Sequence, residues 1–168
     1  MTDTDPANLA PPHLVAFLRR HGVDAEFVAP GVPMPTVATA AAAIGVPEEQ
    51  ILKTLLFAAD DRFVVAIANG SGRVNRALLA RATGLVKPRA ANPDIVAQVT
   101  GYPAGGVSPL GLPDELPVIV DVGVARVPTA YGGGGREDLL LRLATADVIR
   151  LNNALVRRIV EESPGPPA

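Results

Sequence analysis

Two apolar segments separated by an acidic pair restrict the folds open to this chain more than any other feature. The segments span residues 51–57 and 63–68, and Asp60-Asp61 lies between them. Short segments rich in branched and aromatic residues, joined by a polar turn, predict an antiparallel hairpin. Because each segment is apolar at almost every position, we expect both faces of the hairpin to be covered by other parts of the chain.

Helical and extended patterns alternate irregularly around this hairpin. Thr36 is placed to cap a helix that Gly45 ends. The full set of predicted helices is 9–21, 37–44, 75–83, 93–99, 146–151 and 154–161, and the further strands are 24–28, 116–120 and 139–143. The irregular order predicts an α+β fold with one mixed sheet. The 168 residues suit a single domain, and we expect a frayed tail over 163–168.

The composition excludes several kinds of chemistry. The chain has no cysteine and two histidines, both on the first predicted helix, which excludes thiolate catalysis and disfavours a metal site or a catalytic triad. We therefore expect no metal and no cofactor. The net charge of -2 means that nucleic acid would need a local basic patch. The acidic start and the lack of an apolar stretch of ~20 residues predict a cytoplasmic protein without membrane contact.

Lys53 is the most informative single residue. Side chains alternate between the faces of a strand, so Lys53 interrupts an otherwise apolar face. A buried ammonium group is costly unless a partner compensates it, which indicates a cavity that receives a polar ligand. The same environment would lower the pKa of the lysine. The alternative is an edge strand from which the lysine extends into water.

A loop over residues 100–111 is the second candidate feature. It contains four glycines and two prolines, which impose unusual backbone angles and leave N–H groups open to a ligand. An ordinary multi-turn connection remains the alternative. The glycine run 132–135 either lines a site or only turns the chain.

A basic stretch is the third feature. Residues 73–93 contain five basic side chains and no acid, a pattern that phosphate groups would favour. The alternative is a solvated surface in an arginine-rich protein. The four side chains that we select as candidate phosphate contacts are Arg73, Arg76, Lys87 and Arg89.

Several motifs follow one another in a characteristic order. They are Gly45-Val46-Pro47, Ile51-Leu52-Lys53-Thr54-Leu55, Thr100-Gly101-Tyr102, Gly105-Gly106-Val107-Ser108-Pro109 and the late glycine segment. Over residues 25–152 the chain thereby resembles the YbaK/prolyl-tRNA-synthetase-associated domain family of aminoacyl-tRNA editing domains.

The resemblance implies a single α+β domain whose mixed sheet curls, like a barrel flanked by helices, around a pocket. It also implies hydrolysis of the ester between a wrong amino acid and tRNA. In that reaction a hydroxyl of the terminal ribose and a water molecule carry out much of the chemistry. Lys53 matches the functional lysine of the family, and Gly105 and Pro109 match a Gly-x-x-x-Pro loop that sets the size of the amino acid. We assign no role to Glu137 and Asp138.

The resulting hypothesis is a trans-editing deacylase for proline tRNA that carries alanine or cysteine. Lys53 is the catalytic candidate, tRNA is the partner, and a synthetase is a second candidate partner. The substrate-binding candidates are Thr54, Gly101, Tyr102, Gly105, Gly106, Ser108, Pro109, Gly133 and Gly134. Two alternatives remain open: an inactive tRNA- or protein-binding module with the same fold, and a hydrolase or binder of a different small molecule.

Overall fold

The structure, a computed structural model, describes residues 5–161. Two 3-10 turns, Pro6–Leu9 and Glu48–Gln50, accompany the regular elements. The helices are α1 (Pro12–Arg20), α2 (Val37–Ile44), α3 (Arg76–Thr83), α4 (Pro93–Thr100), α5 (Val122–Ala125) and α6 (Thr145–Leu151). The strands are β1 (Glu26–Val28), β2 (Leu52–Ala59), β3 (Arg62–Asn69), β4 (Arg89–Ala90), β5 (Val118–Asp121), β6 (Thr129–Gly133), β7 (Leu140–Ala144) and β8 (Leu155–Arg157). The tail expected at 163–168 lies outside the described residues.

Local sequence signals account for the ends of α2. The Thr39 backbone N–H donates to Thr36 Oγ1 at 3.1 Å, and the Thr36 N–H donates to Thr39 Oγ1 at 2.9 Å. These reciprocal bonds satisfy N–H groups that have no partner inside the helix. Gly45, at φ 70°, ends the helix in the left-handed conformation. The predicted cap, span and stop of this helix are confirmed.

The predicted hairpin is also confirmed. Strands β2 and β3 pair antiparallel from Leu52↔Asn69 to Ala59↔Arg62. Alternate residues of β3 enter different core clusters: Val65 and Ile67 belong to the cluster between the sheet and helices α1, α4 and α6, whereas Val64 and Ala66 pack with Leu79 of α3. Both faces of β3 are therefore covered, as its apolar sequence predicts.

The strands form two sheets. One is antiparallel with the order β1-β7-β6, and the other is mixed with the order β4-β2-β3-β5-β8. A parallel bridge between Ile51 and Tyr131 links them where β2 begins. The α+β class with mixed pairing is confirmed, but the strands of residues 5–161 form no single sheet and no closed barrel. Near the bridge, Ala40 and Ala41 of α2 pack against Ile51 and Leu140, so α2 covers the junction of the two sheets.

The helix predicted over 154–161 is wrong. Leu155–Arg157 forms β8, which pairs in parallel with the open edge of β5. Asp121, buried at the end of β5, accepts hydrogen bonds from the backbone N–H groups of Ile159 (2.8 Å) and Val160 (3.0 Å). A partner distant in sequence thus satisfies the N–H groups that a helix would have satisfied internally, and the extended form prevails.

The glycine run does more than turn the chain, since Gly133 lines the cavity described below. Its first two residues, Gly132 and Gly133, end strand β6, which pairs with β7 through Gly133↔Leu140. A Cβ at Gly132 would lie 2.8 Å from the Pro109 ring. Glycine therefore occupies this strand because the loop 101–111 packs directly on its backbone.

Candidate functional site

A cavity of about 300 Å³ opens at the junction of the two sheets. Its lining comes from the start of β2, from residues 34–37 before and within α2, from the loop 101–111 and from the connection between β6 and β7. Most of the lining side chains are apolar, among them Val37, Ala40 and Leu140. A largely apolar cleft of this size with a few polar groups is typical of a small-ligand site.

Lys53 lines this cavity and is half-buried. Its Nζ donates a hydrogen bond to the carbonyl oxygen of Gly72, in the turn between β3 and α3. Burial lowers the pKa of Lys53 below its ordinary value, and the positive charge of nearby Arg73 lowers it further. An ammonium group has three N–H donors, so two remain for a ligand after the bond to Gly72.

Thr54 lies beside Lys53 on β2 and also lines the cavity. Its Oγ1 is buried and has no hydrogen-bond partner within the described part of the chain. A buried hydroxyl without a hydrogen-bond partner costs free energy, so most buried hydroxyls in folded proteins are hydrogen-bonded. The position of this hydroxyl at a cavity makes it a candidate contact for a polar ligand.

The loop 101–111 reaches the cavity through Gly105 and Val107. Gly105, at φ 85°, adopts the left-handed conformation that favours glycine. Among the proposed site residues, Gly105, Lys53, Thr54 and Gly133 share the cavity lining. The lysine and this loop therefore meet at one cavity.

Other loop residues lie behind this surface. Tyr102 is buried, and its hydroxyl donates to the carbonyl oxygen of Leu110 at 2.7 Å. Burial raises the pKa of Tyr102, which keeps the phenol a neutral donor. Ser108 is buried and its Oγ accepts from the Leu110 N–H at 3.2 Å. Neither lines the cavity, and both hold the loop in shape.

Gly101, Gly106, Pro109 and Gly134 also lie outside the cavity lining. Gly101 ends α4 in the left-handed conformation, and Gly106 accepts a hydrogen bond at its carbonyl oxygen from the Gly135 N–H at 2.9 Å. The carbonyl oxygen of Pro109 accepts from the Asn152 side chain at 2.7 Å. These contacts attach the loop to its neighbours, and Gly134 packs against Leu139 in the same connection.

Glu137 is the cavity residue that sequence reasoning missed. It lies in the connection between β6 and β7 and lines the same cavity as Lys53. Its side chain lies over Gly105: a Cβ built on that glycine would be 3.4 Å from Glu137 Cγ. The only sequence signal was an acidic residue close to the glycine run, which could not show that the two loops meet.

The four basic candidates are exposed. Arg76 donates from Nε to the carbonyl oxygen of Pro88 at 2.7 Å, which brings α3 next to Lys87 and to Arg89 of β4. Arg73 is close enough to Lys53 to lower its pKa. The basic stretch thus begins beside the cavity and continues over the outside of α3.

Residues 5–161 hold no group of three or more His, Cys, Asp or Glu side chains arranged to bind a metal ion. No helix within that part of the chain has the length and apolarity needed to cross a bilayer.

Known proteins similar to this chain identify its family. The family described as "Aminoacyl-tRNA editing domain" matches residues 32–151. A proline–tRNA ligase of Streptococcus thermophilus is 39% identical over 99 residues, which are 58% of this chain and 16% of the ligase. The chain therefore corresponds to a small part of that enzyme.

Two solved structures share the fold over most of the chain. One, described as "hypothetical protein APE2540", has a TM-score of 0.81 and 31% identity, covering 89% of this chain and 99% of that one. The other, described as "a putative trans-editing enzyme for prolyl tRNA synthetase", has a TM-score of 0.82 and 26% identity, covering 95% and 99%.

Proposed function

Because the chain belongs to the family of aminoacyl-tRNA editing domains, we propose that it is a deacylase for proline tRNA mischarged with a small amino acid such as alanine or cysteine. The observation that carries the proposal is the shared cavity of Lys53 and the Gly105 loop. The resemblance to a proline–tRNA ligase and to a trans-editing enzyme supports the choice of tRNA. A synthetase is a candidate partner, and the cytoplasm is the proposed location.

The cavity supports hydrolysis of an ester of this kind. A water oxygen attacks the ester carbonyl, the bond from the carbonyl carbon to the ribose oxygen breaks, and that oxygen leaves with a proton. The products are the free amino acid and an uncharged tRNA end. We assign to the Lys53 ammonium the stabilisation of the negative charge that develops on the carbonyl oxygen, through the donors that Gly72 leaves unoccupied.

The apolar walls of the cavity support the choice of an amino acid with a small apolar side chain. Walls formed by Val37, Ala40 and Leu140 match an apolar group. For two amino acids that differ by one methylene group, such walls can change the free energy of discrimination by about 1–3 kcal/mol.

Deacylation of a panel of mischarged tRNAs tests the proposal. We expect loss of label from alanyl- or cysteinyl-tRNA of proline, and a reduction of about 100-fold in Lys53→Ala with an unchanged melting temperature. Arg20→Ala removes one positive charge on α1 and is the control. No turnover of any panel member would refute the deacylase. Turnover that is equal in wild type and Lys53→Ala would refute the role of the lysine, and tRNA binding without turnover would favour an inactive binding module.

A further inference from the structure

We propose that Glu137 binds the protonated α-amino group of the amino acid, and that the site therefore accepts esters of free amino acids and rejects esters of N-acylated ones. The inference rests on the proposed deacylase function and specifies its substrate class. Its basis is the charge distribution in the cavity, where the charged lining residues are Lys53 and Glu137, of opposite sign.

The position of Glu137 suits an approaching ligand. It lines both the first cavity and a second one of about 700 Å³, and its side chain is exposed. Glu137 Oε1 would be 3.6 Å from a Cβ on Gly105, so the carboxylate lies over the loop. The absence of a Cβ at Gly105 leaves the room that this arrangement needs.

The carboxylate of Glu137 is available for a cation. Its neighbours Arg136 and Asp138 pair with each other through two contacts of 3.0 and 3.1 Å. Among residues 5–161, no ion pair or hydrogen bond engages the Glu137 carboxylate. The connection between β6 and β7 thus presents one negative charge to the cavity that its own arginine does not neutralise.

The chemistry of an aminoacyl ester matches this pair of charges. The ester has an ammonium group on the carbon next to its carbonyl. The ammonium group is positive, and the carbonyl oxygen accepts hydrogen bonds. Binding of the ammonium to Glu137 leaves the carbonyl free to meet Lys53. An N-acylated amino acid has no ammonium group, and it would leave the carboxylate without its cation.

Deacylation of matched substrates tests the inference. Alanyl-tRNA and N-acetylalanyl-tRNA differ only in the amino group. We expect wild type to prefer alanyl-tRNA by about tenfold in kcat/KM or more, and Glu137→Gln to lower kcat/KM for alanyl-tRNA alone, so that the preference disappears. Glu115→Gln, at an exposed glutamate outside the cavity lining, makes the same charge change and should keep the wild-type preference.

A binding measurement separates this inference from the proposed function. The probe is adenosine that carries alanine in a stable 3′-amide, compared with its N-acetyl form, titrated by NMR into wild type and Glu137→Gln. The inference is supported if wild type binds the free-amine probe more strongly than the N-acetyl probe and Glu137→Gln binds the two equally. Turnover of alanyl-tRNA with an equal substrate preference in both proteins would overturn the role of Glu137 and leave the deacylase intact. Absence of both turnover and probe binding would overturn both.

Discussion

Lys53 illustrates how far one residue can be understood from its neighbours in sequence. Alternation along β2 identified a cation among apolar side chains. Its hydrogen-bond acceptor, Gly72, and the charge that acts on it, Arg73, come from the turn after β3. The lowered pKa of Lys53 is therefore a property of the folded hairpin rather than of the strand alone.

The pKa of Lys53 can be measured directly because the chain has only two lysines. We expect NMR titration of ¹³C-labelled lysine to show a pKa for Lys53 below 10.5, and Arg73→Gln to raise it, since loss of a nearby positive charge favours the ammonium form. Arg62→Gln, at the far end of β3, should leave it unchanged. A pKa of Lys53 unaffected by Arg73→Gln would contradict this account.

The same shift makes stability depend on pH. The folded state disfavours the Lys53 ammonium relative to the unfolded chain, so the unfolded state binds more protons between the two pKa values. The penalty is fully present below the folded-state pKa and is relieved as pH rises from there towards 10.5. The free energy of unfolding of wild type should therefore increase with pH in this range. Lys53→Met removes the titrating group and should reduce that increase.

Thr54 allows a ligand contact to be separated from a structural one. Thr54→Val removes a buried hydroxyl that has no protein partner and keeps the shape of the side chain. We expect the free energy of unfolding to stay equal or rise by about 1 kcal/mol, while deacylation slows. Urea unfolding and single-turnover deacylation measure the two effects. A clear loss of stability would show that the hydroxyl has a partner in the folded protein.

At the scale of elements, the loop 101–111 and the β6–β7 connection act as one unit. A Cβ on Gly106 would lie 2.7–2.9 Å from the backbone atoms of Arg136. The adjacent Glu137 and Gly105 line the cavity, so displacement of one loop displaces the other. The glycines here are explained by close packing of two backbones.

Gly106→Ala tests this coupling. We expect a loss of about 1–3 kcal/mol of stability from overpacking, and slower deacylation because the cavity wall moves. Gly84→Ala is the matched control: it places a side chain at φ 75° at the end of α3, with nothing within 4 Å, and should cost about 1–2 kcal/mol without affecting deacylation. Equal effects of both variants on activity would refute the coupling.

Strand β8 depends on one buried carboxylate. Asp121 Oδ1 accepts from Ile159 and Val160, and its Oδ2 accepts from the Gly123 N–H at 2.8 Å. Asp121→Asn replaces one acceptor oxygen by an N–H₂ group, so we expect a loss of about 1–3 kcal/mol in urea unfolding. Asp114→Asn, in an exposed loop, should change stability little. Unchanged stability of Asp121→Asn would contradict the role of this carboxylate in holding β8.

At the scale of the whole molecule, the distribution of charge matters more than the net charge of -2. The exposed basic side chains around α3 and β4 begin beside the cavity, at Arg73. We propose that these side chains contact the phosphate backbone of the tRNA near its aminoacylated end. Such contacts release counterions, so binding should weaken as salt increases.

Charge reversal tests this surface. Arg73→Glu with Arg89→Glu should weaken binding of uncharged tRNA and reduce the slope of log affinity against log salt by about 1–2. Arg19→Glu with Arg20→Glu on α1 produces the same net charge at a distant surface and should leave the slope near that of wild type. Equal slopes in the two double variants would show that only net charge acts.

The sequence by itself determined the features whose causes lie within a few residues. The caps of α2, the hairpin β2–β3 and the lysine within its apolar strand follow from side-chain alternation and local hydrogen bonds. Tertiary structure decided the extended form of 155–157, the extension of β6 through Gly132 and Gly133, and the meeting of Glu137 with Lys53 at one cavity. These depend on partners far apart in the chain, and local propensities are too weak to outweigh a buried carboxylate or the packing of two backbones.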